Sequence, residues 1–212
     1  MSNEPKSSKK SRRDFIKKST ILVAGSTVAG NLQIARAAHA YGDEVIKIGL
    51  VGCGGRGTGA AIQAMNTNGD VHLVAMADVF EDRLQGAYRA IKSKHNEKVK
   101  VTPDTMFVGL DAYKKVMESD CDLVILATPP GFRPLHFEAG VNAGKHVFME
   151  KPVATDAPGV RRVLDANKIA KEKNLCVQVG LQRRHEEAYI ETMKRLHDGA
   201  IGDIVLSRAY WN

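Results

Sequence analysis

The sequence predicts an α/β fold, a doubly wound parallel sheet, on three observations. Short apolar runs alternate along the chain with segments whose apolar residues recur at helical spacing. The first run, Val45 to Val51, meets Gly52-Cys53-Gly54-Gly55-Arg56-Gly57, a G-x-G-x-x-G turn with a helix start behind it. A second run, Val71 to Val79, carries Asp78 near its end, 21 residues after Gly57. That is close to the spacing of about 20 at which such turns are followed by a ribose-binding acid.

The first strand holds Val45, Ile46, Ile48, Leu50 and Val51, and the helix is expected over Thr58 to Met65. Glu81 to His95 places Leu84, Ala87, Tyr88 and Ile91 on one helical face. Lys92 to Lys100 is polar and reads as a loop, and Thr105 to Val108 as a short strand. Asp111 is placed to cap a short helix with Tyr113, Val116 and Met117 inward. Cys121 to Ala127 is the most apolar run and predicts a central parallel strand, stopped by Thr128-Pro129-Pro130-Gly131. Arg133 to Ala143 reads as a helix closed by Gly144, and His146 to Glu150 as the next strand. Thr155 or Asp156 caps a helix to about Lys173, with Pro158 in its first turn. Leu175 to Leu181 is a strand, and Glu186 to His197 a helix with Tyr189, Met193 and Leu196 on one face, closed by Gly199. Asp203 to Asn212 reads as a further strand in which Tyr210 and Trp211 have nothing to be buried against.

The net charge of +7 is concentrated at the front of the chain. Residues 1–40 hold eight Lys/Arg against two Asp/Glu, and the remainder is nearly balanced, at 23 against 22. Nothing after residue 40 therefore suggests a nucleic-acid partner. The basic segment reads as a targeting peptide. Ser11-Arg12-Arg13-Asp14-Phe15-Ile16-Lys17 resembles the twin-arginine export motif, and the apolar stretch Ile21 to Gly30 is too short for a membrane span. Ala38-His39-Ala40 supplies a cleavage site, with Ala35-Arg36-Ala37 as the alternative. The twin-arginine export machinery is thus an expected partner, and the periplasm the expected place. Cys53, Cys121 and Cys176 fall in or beside different core strands with no C-x-x-C, so buried free thiols are expected and no metal site.

In the glycine-rich turn, Gly52 would make the tight bend. Gly54 would let the backbone approach a pyrophosphate, and Gly57 would let helix and strand pack closely. The N–H groups that open the helix would face the anion, and Gly55 and Arg56 of the turn count among the candidate cofactor-binding residues. A doubly wound, Rossmann-like sheet binds ligands at the carboxyl ends of its strands. The residues there are Gly52 to Arg56, Asp78, Thr128 to Gly131, Glu150 to Pro152 and Gln182 to Arg184, which should line one crevice.

These residues resemble the glucose–fructose oxidoreductase, inositol dehydrogenase and MocA (Gfo/Idh/MocA) family of NAD(P)-dependent oxidoreductases. The resemblance rests on Gly52 to Gly57, Ala77-Asp78, Ala127-Thr128-Pro129 with His136, Gln182-Arg183-Arg184 and Gly199 to Asp203. Its most specific part is Ala143-Gly144-Lys145-His146-Val147-Phe148-Met149-Glu150-Lys151-Pro152. It implies a nicotinamide cofactor, a sugar or polyol substrate, and a second, mostly antiparallel domain that completes the site. Homo-oligomerisation of the full-length form stays open. It also implies that Lys151 sits beside the nicotinamide and the substrate hydroxyl and exchanges a proton as hydride moves. Glu150 would orient Lys151 or the cofactor ribose, and Pro152 would fix the turn, with a cis bond after Lys151 allowed. Asp78 would bind both adenine-ribose hydroxyls and repel a 2′-phosphate, so NAD is favoured over NADP, although Arg83 is placed to meet such a phosphate. Thr128 and Pro129 would border the cofactor. Arg184 would lie near the nicotinamide end, unless it is a surface ion-pairing residue, and His136 would pack its helix or touch the ligand. His185-Glu186-Glu187 lacks the second His of a zinc motif.

The expected division is a signal peptide over 1–40, a dinucleotide-binding domain over 41–202, and over 203–212 the first strand of an incomplete substrate domain. The chain thus reads as the front half of an enzyme that binds NAD but turns nothing over alone. Two other functions fit the residues: an NAD-dependent glycoside hydrolase of the same fold, and a non-catalytic nucleotide-binding module.

Overall fold

The computed structural model describes residues 45–210. The proposed leader, its twin-arginine motif and cleavage site, and Trp211 lie outside them. The sheet has six strands: β1 (Ile46–Val51), β2 (Val71–Asp78), β3 (Met106–Val108), β4 (Leu123–Leu126), β5 (His146–Met149) and β6 (Val177–Val179). All neighbours pair in parallel, in the order β3-β2-β1-β4-β5-β6. The chain leaves β1 toward β2 on one side and returns to β4 on the other. The β1–β4 boundary is therefore the switch point at which α/β sheets open a crevice.

The central strands are mostly apolar because both faces are covered. Ile48 and Leu50 of β1, Leu73 and Met76 of β2 and Ile125 of β4 point into one buried cluster. It is closed by Ala60, Ala61 and Met65 of α1 (Gly55–Met65) and by Leu84, Ala87 and Ile91 of α2 (Glu81–Lys94). The alternate residues Val51, Val124, Leu126, Val147 and Met149 point into the other. There they meet α3 (Ala112–Glu118), α4 (Arg133–Asn142) and α5 (Ala157–Glu172) through Val116, Phe137, Val141, Val163 and Ala166. Side chains on a strand alternate between faces, so a strand covered on both sides reads as a continuous apolar run. Among the described residues no helix is long and apolar enough to cross a membrane.

The helix ends follow local chemistry at most positions. Asp156 caps α5 by accepting a hydrogen bond from the Gly159 N–H at 2.7 Å, with Pro158 in the first turn. Gly144 and Gly199 adopt positive φ (73° and 84°) just after α4 and after α6 (Glu187–His197).

Several expectations are corrected. The helix after the glycine turn starts at Gly55 rather than Thr58, so the last glycines of the turn are its first residues. Asp111 stands at the cap position of α3 but makes no capping hydrogen bond, because its carboxylate pairs with Lys114 at 2.7 Å. The polar stretch 92–100 is not all loop. Asn96–Lys98 form a 3-10 turn, and buried Val99 bridges Leu73. Cys53 and Cys121 are buried, but Cys176 is exposed. It leads into β6, which among the described residues has one neighbour, β5. The apolar face of α6 is unburied, with Tyr189, Ile190 and Met193 all exposed. Residues 203–210 form no strand and are exposed throughout. Strand geometry needs a neighbour to accept its N–H groups, and none borders this segment among the described residues.

Candidate functional site

The site is built where the parallel strands end. Gly52 follows β1 with φ +96°, a conformation that disfavours any side chain. A Cβ there would also lie 2.6 Å from the Thr128 backbone nitrogen after β4. Gly57 faces back onto this bend, and a Cβ on it would overlap the Gly52 carbonyl oxygen. These two glycines let β1, β4 and the start of α1 approach within backbone contact. Gly54 and Gly55 have a different role. An added Cβ at Gly54 would meet only the Arg83 guanidinium at 3.8 Å, and at Gly55 it would meet nothing within 4 Å. The space in front of the helix start is open. The first turn of α1 holds no acid and has no side-chain cap. Its N–H groups and the positive end of its dipole are thus turned to an anion.

Asp78 ends β2 beside this turn. One carboxylate oxygen accepts the Cys53 N–H at 2.6 Å and the other accepts the Phe80 N–H at 2.9 Å. Each oxygen keeps a lone pair, so the carboxylate is oriented and remains able to accept two hydroxyl protons. Burial, and then the Asp78 charge, push the Cys53 thiol well above its ordinary range. Cys53 is therefore a packing residue, not a nucleophile. Arg83 is exposed at the start of α2, its guanidinium 6.0 Å from the Phe80 ring centroid.

The second half of the site comes from β4 and β5. The Thr128 hydroxyl lies 3.1 Å from His136 Nδ1. His136 is 5 % exposed, packs in a tilted contact on Tyr113 at 4.2 Å and stacks on Phe132 at 6.1 Å between centroids. Burial, reinforced by the Arg133 charge, lowers its pKa to about 4, so it is a neutral imidazole at pH 7. Glu150 is 7 % exposed, and its carboxylate accepts a hydrogen bond from Arg56 Nε at 2.7 Å. A side chain at Gly180 would come within 2.9 Å of that carboxylate, so the backbone after β6 closes over it. The partner of the Glu150 carboxylate among the described residues is Arg56, a cation that a buried carboxylate needs. Lys151 and Pro152 follow, both exposed at the crevice edge, and their peptide bond is cis. Pro129 is exposed beside Thr128, and Arg184 is exposed in the 3-10 turn Gln182–Arg184 beyond β6.

One residue of this region carried no expectation from the sequence. Arg133, the first residue of α4, is 2 % exposed. One of its terminal nitrogens donates to the Pro152 carbonyl and the other to the Thr128 carbonyl. A signal existed: Arg133 lies three, four and seven positions before His136, Phe137 and Gly140, and so falls on the buried stripe of its own helix.

Strand order, glycine turn and terminal acid together define a dinucleotide-binding Rossmann domain. The comparisons narrow that class. A family model described as an oxidoreductase family with an NAD-binding Rossmann fold matches residues 46–181. The chain belongs to this Gfo/Idh/MocA family, and the cofactor of its Rossmann domain is NAD. It is 30% identical over 166 residues to inositol 2-dehydrogenase of Klebsiella pneumoniae, covering 77% of this chain and 44% of that protein. It is 32% identical over 157 residues to inositol 2-dehydrogenase 4 of Saccharopolyspora erythraea, covering 74% and 42%. Among solved structures it is similar to scyllo-inositol dehydrogenase from Lactobacillus casei with bound NAD(H) and scyllo-inositol. The identity is 28% and the TM-score 0.61, over 76% of this chain and 43% of that one. The chain thus spans less than half the length of these relatives. The residues present fit NAD: the open space before α1 suits a pyrophosphate, and the oriented Asp78 carboxylate suits a ribose diol.

Proposed function

We propose that this chain is the cofactor-binding part of an NAD-dependent oxidoreductase acting on a hydroxyl of a sugar or polyol. The supporting observation is convergence: the glycine turn after β1, Thr128 after β4 and Lys151 after β5 lie at one edge of the sheet, around its switch point. The N–H groups of Gly55 and Arg56 bind the pyrophosphate, and Asp78 accepts the adenine-ribose hydroxyls. NAD, when bound, supplies the hydride acceptor. Lys151 accepts the proton that leaves the substrate hydroxyl. Thr128 and Pro129 border the cofactor, and the tie from Arg56 to Glu150 holds the glycine turn to the strand that carries Lys151. The inositol dehydrogenase relatives point to a cyclic polyol or a related sugar as substrate.

The test is calorimetric titration with NAD beside a screen of inositols, other polyols and hexoses for NADH formation. Saturable NAD binding is expected, with no NADH formed by this chain alone, and robust polyol-dependent NADH would overturn the reading of the chain as only the cofactor-binding part. Failure to bind NAD overturns the reading. Aglycone release from glycosides without net NADH replaces it with the hydrolase alternative.

We also propose export through the twin-arginine route, supported by Ser11 to Lys17 ahead of a short apolar run. Replacing Arg12 and Arg13 with Lys should leave the protein in the cytoplasm. Undiminished periplasmic protein would refute export by this route.

A further inference from the structure

Arg133 is a costly residue for stability alone. Its guanidinium is buried, its Nε has no hydrogen-bond partner among the described residues, and it puts a positive charge in the first turn of α4. An unpaired buried donor and a cation at the positive end of a helix dipole both oppose folding. An apolar side chain of similar volume is often as stable at such a position, or more so. The contacts that Arg133 does make are specific. It joins the carbonyl of Thr128, after β4, to the carbonyl of Pro152, after β5. Pro152 immediately follows Lys151. Glu150 immediately precedes Lys151 and is held by Arg56 through its carboxylate and by the Leu126 carbonyl through its N–H at 3.0 Å. Lys151 is therefore an exposed side chain whose two neighbours are tied, Pro152 by the buried Arg133 and Glu150 by the exposed Arg56.

We propose that Arg133 is a positioning residue for Lys151: by bridging the Thr128 and Pro152 carbonyls it holds the Lys151 backbone against the cofactor crevice. This rests on the placement of Lys151 beside the nicotinamide. Arg133 touches neither cofactor nor substrate in this role. It fixes the separation of the two turns, and Arg56 with Glu150 fixes the other flank. Without Arg133 the Glu150 side remains tied, so the dinucleotide half of the crevice survives while the Lys151 segment is released at Pro152.

The test reads Lys151 directly and needs no turnover. The full chain is labelled with a trace amine-reactive reagent, with and without NAD, and modification of Lys151 is followed by mass spectrometry, with exposed Lys92 as internal control. At NAD ten times its dissociation constant, an occluded lysine is labelled about tenfold more slowly. That protection is expected in the native chain. In Arg133→Met, NAD affinity should stay within about threefold while protection of Lys151 falls below about twofold. Arg133→Lys, with one donor group able to reach either carbonyl, should give intermediate protection.

Full protection in Arg133→Met refutes the positioning role. So does loss of folding in both variants, which would make Arg133 a structural residue. Absence of protection in the native chain, with NAD bound, refutes instead the placement of Lys151 beside the nicotinamide.

Discussion

Gly57→Ala and Gly59→Ala make the same chemical change in the same helix and should shift stability in opposite directions. Alanine favours a helix interior over glycine by about 0.5–1 kcal/mol. At Gly59 that gain stands alone, because the nearest atom to an added Cβ is the Arg56 guanidinium, 3.9 Å away. At Gly57 the Cβ would overlap the Gly52 carbonyl oxygen and lie 3.1 Å from Ala127 Cβ. The obstacle is backbone, and the bend at Gly52 is itself hemmed in, since even a Cβ on Gly52 would lie 2.6 Å from the Thr128 backbone nitrogen. Helix α1 must move off β1, an overpacking that costs about 1–3 kcal/mol and outweighs the propensity gain. The propensity gain is common to both, so the two variants should differ by the overpacking cost, about 1–3 kcal/mol, with Gly59→Ala above the native chain and Gly57→Ala below it. Urea unfolding followed by circular dichroism reads the difference, and a common m-value shows that the denatured state is unchanged. Gly57→Ala should also lose NAD affinity, since the displaced helix takes its N–H groups with it. Equal stability of the two variants would show that the close approach of α1 to Gly52 is not a constraint of the fold, and the account of the glycine turn would fail.

Two further predictions come from the same site. Asp78→Ala should weaken NAD binding by about 1–3 kcal/mol, as one charged hydrogen-bonding group is lost. Calorimetry measures this, and unchanged affinity would remove Asp78 from the ribose. His136 titrates near 6.5 when unfolded and at about 4 when folded, so folding favours its neutral form. Its contribution is complete above pH 6.5 and is lost as pH falls toward 4, by about 3 kcal/mol in all. His136→Gln should be flatter over that window in denaturant unfolding at a series of pH values, and parallel profiles would contradict a buried neutral histidine.

The order and kind of the elements were legible in the sequence because their signals are local. Apolar continuity in Cys121 to Ala127 marks a strand covered on both faces, the glycines of 52–57 mark a bend, and Asp78 falls at a fixed distance along the chain from that bend. The family followed from the same residues, because Gly144 to Pro152 joins a helix end, a strand and a turn in one short run. What tertiary structure alone decided are the meetings between residues far apart in sequence. Arg56 and Glu150 stand 94 residues apart. Nothing in either stretch marks them as partners, and only the adjacency of β1, β4 and β5 brings the glycine turn to the Glu-Lys-Pro turn. The same adjacency gives Arg133 two backbone carbonyls to bridge. Exposure was decided in the same way. Cys176 and the apolar face of α6 look like core by composition. Burial, however, depends on what covers a residue, and among the described residues no strand lies beyond β6. A sequence states how readily each segment becomes a helix or a strand. Only the packed sheet determines which polar groups lose their water, and these are the groups that must find one another.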